Sequence, residues 1–250
     1  MYKLTSITAI GPLHVYGKFI ARFAANVVEQ ELFKETEHIV IYSEDGPELD
    51  ILRQYPNIKF IQEDKQLGVY NAWNIGIQAS TTDYITNWNI DDIRYPTNTR
   101  VKYEFLHNNP NYSVAYNYYV TTQDIKDTFY TIQPEGKVYL NFPDNYELYA
   151  KAACLCGPDP MWRRHIHDKI GYFDYKDFKT IGDWEMWIRM AESGYKFKLI
   201  PEILCIYLDH LETVSNVSYR DNIVLDQNKR LVEKYKNFNT KQANIEYIRL

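Results

Sequence analysis

The sequence predicts an α/β protein in which a mostly parallel central sheet carries helices on both faces. Over the first 120 residues, short β-rich runs alternate with segments of helical apolar spacing, and the connections between them are short. The chain of 250 residues is 45% apolar and 24% charged, which is the composition of a globular protein with a core of its own. Strands separated by helices pair in parallel, so both faces of the sheet are expected to be covered.

The predicted elements follow one another without an internal repeat. Runs rich in β-branched and aromatic residues predict strands at 4–10, 38–42, 58–61, 83–88 and 113–120. Apolar residues at helical spacing predict helices at 17–30, 47–55, 69–79 and 98–108. Residues 123–150 have no assigned structure, and the pattern then continues with a helix at 182–193, strands at 197–200 and 203–208 on either side of Pro201, and a charged amphipathic helix at 219–235.

Composition excludes several classes of protein. The 28 basic residues are outnumbered by 33 acidic ones, and a net charge of −5 argues against a nucleic-acid binder. No apolar run reaches the length of about 18 residues that a membrane span needs, and the start of the chain lacks a signal-peptide core. The odd count of 3 cysteines predicts free thiols, so we expect a cytoplasmic protein, possessing no transmembrane segment.

An acidic turn follows the predicted strand at 83–88. Asp91 and Asp92 are adjacent carboxylates at the carboxyl end of a strand, where ligands of parallel sheets bind. Oxygen ligands of this kind hold Mg²⁺, whose shell is commonly completed by substrate phosphates. The other interpretation is structural, because aspartate is also favoured at turns and helix N-caps. Both interpretations stay open on this segment alone.

Three further segments carry candidate functional residues. Asp183 lies where a helix begins, and Glu185 points about 200° away from it around that helix, so the two acids do not share one face. Gly68 precedes a helix and allows backbone amides to approach a phosphate. His210 follows the strand at 203–208. Each of these features also has a plain structural explanation, namely a first-turn acid, a loop-to-helix turn and a surface histidine.

The order of these motifs resembles the inverting glycosyltransferases of family 2, which have the GT-A fold. The resemblance extends from about residue 4 to about residue 218. It implies a GT-A domain over 1–218 and a C-terminal helical extension over 219–250. The matching segments are 68–77, 89–96 (Asn-Ile-Asp-Asp-Ile-Arg-Tyr-Pro), 161–164 (Met-Trp-Arg-Arg) with 170–174 (Ile-Gly-Tyr-Phe-Asp), 183–187 (Asp-Trp-Glu-Met-Trp), and 207–210 (Tyr-Leu-Asp-His) with 214–216 (Val-Ser-Asn).

The resemblance implies a role for each matching position. Asp183 corresponds to the catalytic base, and the acceptor-side candidates are Trp162, Trp184 and Glu185. The implied ligands of Mn²⁺ or Mg²⁺ are Asp91, Asp92 and His210. The implied nucleotide-sugar-binding residues are Thr8, Glu44, Asp45, Gly68, Tyr70, Asn71, Asn89 and Ile90.

Two positions depart from the family pattern. Asn89 stands where the family has the first acid of its metal motif, and Gly182 stands where the family has a glutamate before the base. The implied activity is transfer of a sugar from a nucleotide-sugar, with a UDP-sugar favoured, to a hydroxyl of a glycan or lipid-linked acceptor by a single displacement. We expect residues 123–150, and the tyrosines around Tyr119, to contribute to the acceptor side.

Two other functions are alternatives to glycosyl transfer. A non-catalytic module that binds a nucleotide-sugar or glycan is suggested by the departures at Asn89 and Gly182. A sugar-nucleotide nucleotidyltransferase would need a Gly-rich, Arg-containing loop after the first strand. The loop at 11–17 (Gly-Pro-Leu-His-Val-Tyr-Gly) lacks that pattern, which disfavours this second rival.

Overall fold

A mixed β-sheet forms the centre of the computed structural model, which describes residues 3–63, 67–132, 137–139, 144–210, 222–242 and 247–249. Within these residues the sheet contains 10 strands. The strands are β1 (Leu4–Ile10), β2 (Thr36–Tyr42), β3 (Ile58–Gln62), β4 (Tyr84–Asn87), β5 (Ile93–Arg94), β6 (Val114–Thr122), β7 (Lys137–Tyr139), β8 (Met161–Arg163), β9 (Phe197–Leu208) and β10 (Tyr247–Arg249). The helices are α1 (Leu13–Val28), α2 (Asp50–Arg53), α3 (Val69–Ala79), α4 (Asn98–Asn108), α5 (His167–Ile170), α6 (Gly182–Glu192) and α7 (Ile223–Lys234).

The first four strands form a parallel half of the sheet, in the order β3-β2-β1-β4. Leu4 at the start of β1 lies opposite Thr36 of β2 on one side and Tyr84 of β4 on the other. The carboxyl ends of these strands therefore meet at one edge of the sheet. The predicted α/β class with helices on both faces is confirmed.

Helices cover both faces of this half because side chains alternate along the strands. Ile39 and Ile41 of β2 pack in one core cluster with Trp73 and Ile77 of α3. Val40 and Tyr42, which point the other way, pack in a second cluster with α1. A Cβ atom at Gly76 would lie 2.5 Å from Cγ2 of Ile7, so the absence of a side chain at this position allows α3 to lie against β1.

The second half of the sheet mixes parallel and antiparallel pairs. β8 inserts between β4 and β6 and is antiparallel to both, while β9 is parallel to β6. The sequence had predicted two strands separated by Pro201, but β9 is continuous. Its pairing with β6 jumps from Ile200 to Ile203, so Pro201 lies in an exposed bulge where its missing N–H costs no ladder hydrogen bond.

The C-terminal helix packs against the main core. Its side chains Val224 and Leu231, and Tyr235 just after it, lie in the same cluster as Trp187 of α6. The side chain of Gln227 also accepts a hydrogen bond from the backbone N–H of Thr180 at 3.1 Å. The expected helix at 219–235 is observed from residue 223 to residue 234.

Part of the sequence-based interpretation falls outside the described residues. The expected domain boundary at 218 and the motif at 214–216 lie there, and the division into a domain at 1–218 and an extension at 219–250 stays a prediction. Within the unassigned segment at 123–150, the structure describes β7 and a 3₁₀ turn at Tyr146–Leu148. None of the helices in the described ranges combines the length and apolar character required to cross a membrane.

Candidate active site

A cavity of about 470 Å³ opens at the carboxyl edge of the parallel strands. Its walls come from the segments that follow each strand, as expected for an open α/β sheet. Residues from α3, α6 and the later part of the chain close the opposite side. The lining includes Gly11 and Pro12 after β1, Tyr42 and Ser43 at the end of β2, Glu63 after β3, Gly68, Val69 and Tyr70 at the start of α3, Asn89, Ile90 and Asp91 after β4, and Cys154, Lys179, Thr180, Asp183 and Tyr207.

The structure brings one group of the sequence-predicted site residues to this cavity. These residues come from three separate segments of the chain, and two of the residues carry carboxylates. These residues are Gly68, Tyr70, Asn89, Ile90, Asp91 and Asp183. Position 68 has open space where a Cβ atom would stand, so its backbone is accessible at the start of α3.

Asp183 is held by two neutral hydrogen-bond donors. The hydroxyl of Tyr70 donates to Oδ1 of Asp183 at 2.8 Å, and the thiol of Cys154 donates to Oδ2 at 3.5 Å. Burial raises the pKa of the Asp183 carboxyl, while the hydrogen bonds from Tyr70 and Cys154 oppose that rise. A carboxylate with a raised pKa that lines a cavity is a candidate proton acceptor.

Asp91 of the acidic turn lies beside His210, which follows β9. Nε2 of His210 lies 3.3 Å from Oδ2 of Asp91, and each side chain is 16% exposed. A carboxylate oxygen and an imidazole nitrogen are both ligands of divalent cations. The described residues contain no group of three or more His, Cys, Asp or Glu side chains able to hold a metal ion. The pair therefore fits a cation whose remaining ligands come from a bound molecule and from water.

Asp92, which is predicted to bind a metal, ties the acidic turn to its surroundings. Its side chain is 3% exposed. Oδ1 accepts a hydrogen bond from the N–H of Leu208 at 3.1 Å, and Oδ2 accepts one from Nδ2 of Asn89 at 2.9 Å. Burial and the neighbouring Asp91 raise the pKa of the Asp92 carboxyl. Both oxygens thus join the turn to β9 and to Asn89, and the metal role of Asp92 stays a prediction.

A buried ion cluster supports the acidic turn from below. Arg94, Lys102 and Asp159 are all buried, and Nζ of Lys102 lies 2.7 Å from Oδ2 of Asp159. The guanidinium of Arg94 lies 4.4 Å from the ring centre of Trp88, the residue that begins the turn. Burial lowers the pKa of Lys102 to about 8, against the opposing effect of Asp159. These contacts fix the backbone that presents Asp91.

The acidic residues after β2 do not line the cavity. Oε2 of Glu44 accepts a hydrogen bond from the N–H of Leu13 at 2.9 Å, where it caps α1. Asp45 is exposed and forms an ion pair with Arg53. The carboxylate that lines this end of the cavity is Glu63, which the sequence-based prediction missed. Its position directly after β3 is the signal that could have identified it.

Three acceptor-side candidates are absent from the described cavity lining. Trp162 is fully buried in β8, and its Nε1 donates to Nε2 of His167 at 2.8 Å. Glu185 is fully buried and accepts hydrogen bonds from Tyr235 at 2.6 Å and Lys234 at 2.8 Å. Trp184 is half-buried and donates from Nε1 to the carbonyl of Ala150 at 2.8 Å. Each side chain contributes to packing between elements, and a contact with an acceptor stays a prediction.

Two expected donor-binding residues also lie outside the cavity lining. Thr8 is buried within β1 opposite Val40. Asn71 lies on the first turn of α3, and its N–H donates to the carbonyl of Gly68 at 3.1 Å. The later part of the chain contributes aromatic residues to the cavity lining. They include Tyr119 and Tyr207, whose ring centres are 6.3 Å apart.

The fold is that of the GT-A glycosyltransferases. S. aureus TarS residues 1–349 in complex with UDP-GlcNAc superimposes with a TM-score of 0.72 at 12% identity, covering 96% of this chain and 68% of that one. A mannosyltransferase from Pyrobaculum calidifontis, PcManGT, in complex with GDP-Man and Mn²⁺ has a TM-score of 0.67 at 14% identity, covering 97% and 66% of the two chains. Residues 8–171 match the family described as "Glycosyl transferase family 2", and the chain belongs to that family.

Two curated relatives bear glycosyltransferase names. The "Uncharacterized glycosyltransferase MJ1057" of Methanocaldococcus jannaschii is 23% identical over 206 residues, which are 78% of this chain and 64% of the relative. The "Uncharacterized glycosyltransferase YwdF" of Bacillus subtilis is 26% identical over 178 residues, which are 68% of this chain and 62% of the relative. The chain thus spans less than two thirds of the length of either relative.

Proposed function

We propose that this chain is a metal-dependent inverting glycosyltransferase that moves a sugar from a nucleotide-sugar to an acceptor hydroxyl. One observation carries the proposal. Asp183 of α6 and Asp91 of the turn after β4 line the same cavity, in a chain that belongs to family 2. The first is the proposed proton acceptor, and the second lies beside His210. Asp183 lies beyond the matched residues 8–171, so its assignment rests on this geometry and on the motif at 183–187.

The proposed reaction is a single displacement. Asp183 takes the proton of the acceptor hydroxyl while that oxygen attacks the anomeric carbon of the donor sugar. The new C–O bond forms as the bond from that carbon to the diphosphate oxygen breaks, and one displacement inverts the anomeric configuration. The raised pKa of Asp183 suits this role because a stronger base accepts the proton more readily.

Asp91 and His210 are the proposed protein ligands of Mn²⁺ or Mg²⁺. A bound divalent cation supplies positive charge that stabilises the leaving diphosphate. The Mn²⁺ of the PcManGT complex accompanies GDP-Man in that protein. Two protein ligands are sufficient for a cation whose shell is completed by substrate phosphate oxygens and water.

The donor nucleotide is proposed to occupy the part of the cavity formed after β1, β2 and β3. Glu63 contributes a carboxylate there, and a carboxylate accepts the ring N–H that uracil presents. A UDP-sugar is therefore the proposed donor, in line with the UDP-GlcNAc that accompanies TarS. Gly68 and the backbone at the start of α3 are proposed to lie against the phosphates.

The acceptor is proposed to be a glycan or lipid-linked hydroxyl in polysaccharide synthesis. Tyr119 and Tyr207 line the cavity on the side of Cys154 and Gly157, and aromatic rings of this kind stack against sugars. The free thiols of Cys154, Cys156 and Cys205 fit the proposed cytoplasmic location.

A turnover assay tests the proposed function against a non-catalytic binding module. The wild-type protein is incubated with a panel of nucleotide-sugars, candidate acceptors and Mn²⁺, and release of nucleoside diphosphate is measured. We expect one donor to be consumed, and Asp183→Asn to lower the rate by at least about a hundredfold while its donor affinity stays within about threefold of wild type. Donor binding without turnover across the panel would support the binding module instead.

A further inference from the structure

The ring of Tyr70 is held by packing contacts that are independent of its hydrogen bond to Asp183. It is buried, its ring stacks on Phe173 with centres 5.7 Å apart, and it meets Trp73 edge-on at 5.3 Å. Its hydroxyl lies 2.8 Å from Oδ1 of Asp183, with the carbonyl of Thr180 at 3.2 Å as a second acceptor. A ring packed on two sides holds its hydroxyl in one place, so the phenol can orient a carboxylate with little loss of conformational entropy.

Gly182 has no side chain, and the ring of Tyr70 occupies the space that a side chain at position 182 would need. A Cβ atom at position 182 would lie 2.8 Å from Cδ2 and 3.0 Å from Cγ of Tyr70. These distances are shorter than carbon–carbon contacts allow, so a side chain at 182 and the present position of Tyr70 exclude each other. The glycine at 182 therefore allows the phenol of Tyr70 to reach the carboxylate of Asp183.

The other groups that face Asp183 are neutral thiols and phenols. Cys154 donates to Oδ2, and burial raises the pKa of both Cys154 and Cys156, so their thiols are protonated at neutral pH. Tyr146 of the nearby 3₁₀ turn is buried, which raises the pKa of its phenol. The cavity lining on the side of Cys154 also contains the phenols of Tyr119 and Tyr207, and the exposed Lys179 lines the cavity as well.

We infer that Tyr70 is a positioning residue for the proposed base, and that Gly182 is required because it makes room for the Tyr70 ring. The inference rests on the proposed function of Asp183. The phenol of Tyr70 donates a hydrogen bond to the proposed base. The phenol stabilises the ionised carboxylate and fixes which oxygen is left to face the acceptor.

Tyr70→Phe tests the inference because it removes only the hydroxyl. The hydrogen bond from Tyr70 opposes the rise in the pKa of Asp183, so its removal moves that pKa upward. We expect the acidic limb of the pH–rate profile to move to higher pH by about one pH unit, as expected for loss of one hydrogen bond to a charged group. Gly182→Ala, which displaces the ring, is expected to move the limb in the same direction.

Carbon-13 NMR titration of the aspartate carboxyls separates this inference from the proposed function. The Asp183 resonance, assigned by its loss in Asp183→Asn, is expected to titrate at higher pH in Tyr70→Phe than in the wild type. Tyr175→Phe is the matched control, because this tyrosine is exposed and is absent from the described cavity lining. An unchanged Asp183 titration in Tyr70→Phe would overturn the inference, and Cys154→Ala then shows whether the thiol is the dominant donor. Absence of turnover in the wild type would count against the proposed function alone.

Discussion

Nε2 of His210 lies 3.3 Å from Oδ2 of Asp91, although the two residues are 119 positions apart in the chain. The contact exists because β9, which precedes His210, pairs with β5 directly after the acidic turn. A second link joins the same two segments, since the N–H of Leu208 donates to Asp92 at 3.1 Å. One aspartate of the turn therefore faces the cavity, and its neighbour ties the turn to the sheet.

The two aspartates are expected to respond differently to the same substitution. Asp91→Asn should lose most of the gain in UDP affinity that Mn²⁺ provides, by about tenfold or more, because a cation ligand is removed. Asp92→Asn is the matched control and should keep that gain. Calorimetric titration of UDP with and without Mn²⁺ measures both ratios. An unchanged ratio in Asp91→Asn would contradict the metal assignment.

Glu63→Gln is expected to weaken binding of the donor nucleotide. The carboxylate lines the cavity at the proposed nucleotide position, and the amide that replaces it is a weaker acceptor and presents a donor as well. We expect a loss of UDP affinity of about tenfold, with a smaller loss for CDP, since the ring of cytosine lacks the N–H that uracil presents. Glu35→Gln, at an exposed position of the 3₁₀ turn Phe33–Glu35, is the control. Equal losses for the two nucleotides would contradict the role in base recognition.

Glu185→Ala is expected to destabilise the fold. The carboxylate is fully buried and accepts hydrogen bonds from Arg189 of its own helix and from Lys234 and Tyr235 at the end of α7. Removing it leaves a buried hydroxyl without its acceptor, so we expect the free energy of unfolding to fall by about 2 kcal/mol. Urea unfolding measures the change, with Glu192→Ala on the exposed face of α6 as control. Equal stability of the two variants would show that this contact does not hold α7 in place.

Two buried histidines predict a loss of stability in mild acid. Burial lowers the pKa of His38 and of His167 to about 4, from an ordinary value of 6.5. Nε2 of His167 accepts the indole N–H of Trp162, so this nitrogen cannot be protonated without losing that bond. Between about pH 6.5 and pH 4 the unfolded chain binds more protons than the folded one, and stability falls as the pH falls.

The expected slope is about 1.4 kcal/mol per pH unit for each of these histidines near pH 5. Urea unfolding at intervals between pH 7 and pH 4.5 measures it. His38→Phe is expected to reduce the slope, because one of the two histidines no longer titrates. A stability that stays constant from pH 7 to pH 5 would contradict the protonation states assigned to both rings.

Periodic segments of the sequence were predicted well, and isolated side-chain directions were not. The expected helices at 69–79 and 98–108 have the bounds of α3 and α4. The buried face of α3 is mainly apolar, whereas α4 buries Tyr103 and Leu106 together with the polar Asn98, Thr99 and Lys102. β5 and β8 contain two and three residues, which is too short for a period to be read. The family motifs identified Asp91 and Asp183 as cavity residues but also selected Trp162 and Glu185, whose burial depends on tertiary packing.

The contact between the acidic turn and the end of β9 bears on the order of events in folding. The parallel pairs among β1 to β4 all lie between residues 4 and 87. His210 and Leu208 reach the turn only where β9 pairs with β6 and β5. Because contacts between residues that are distant in sequence form more slowly than local ones, the proposed cation site is expected to be completed late in folding.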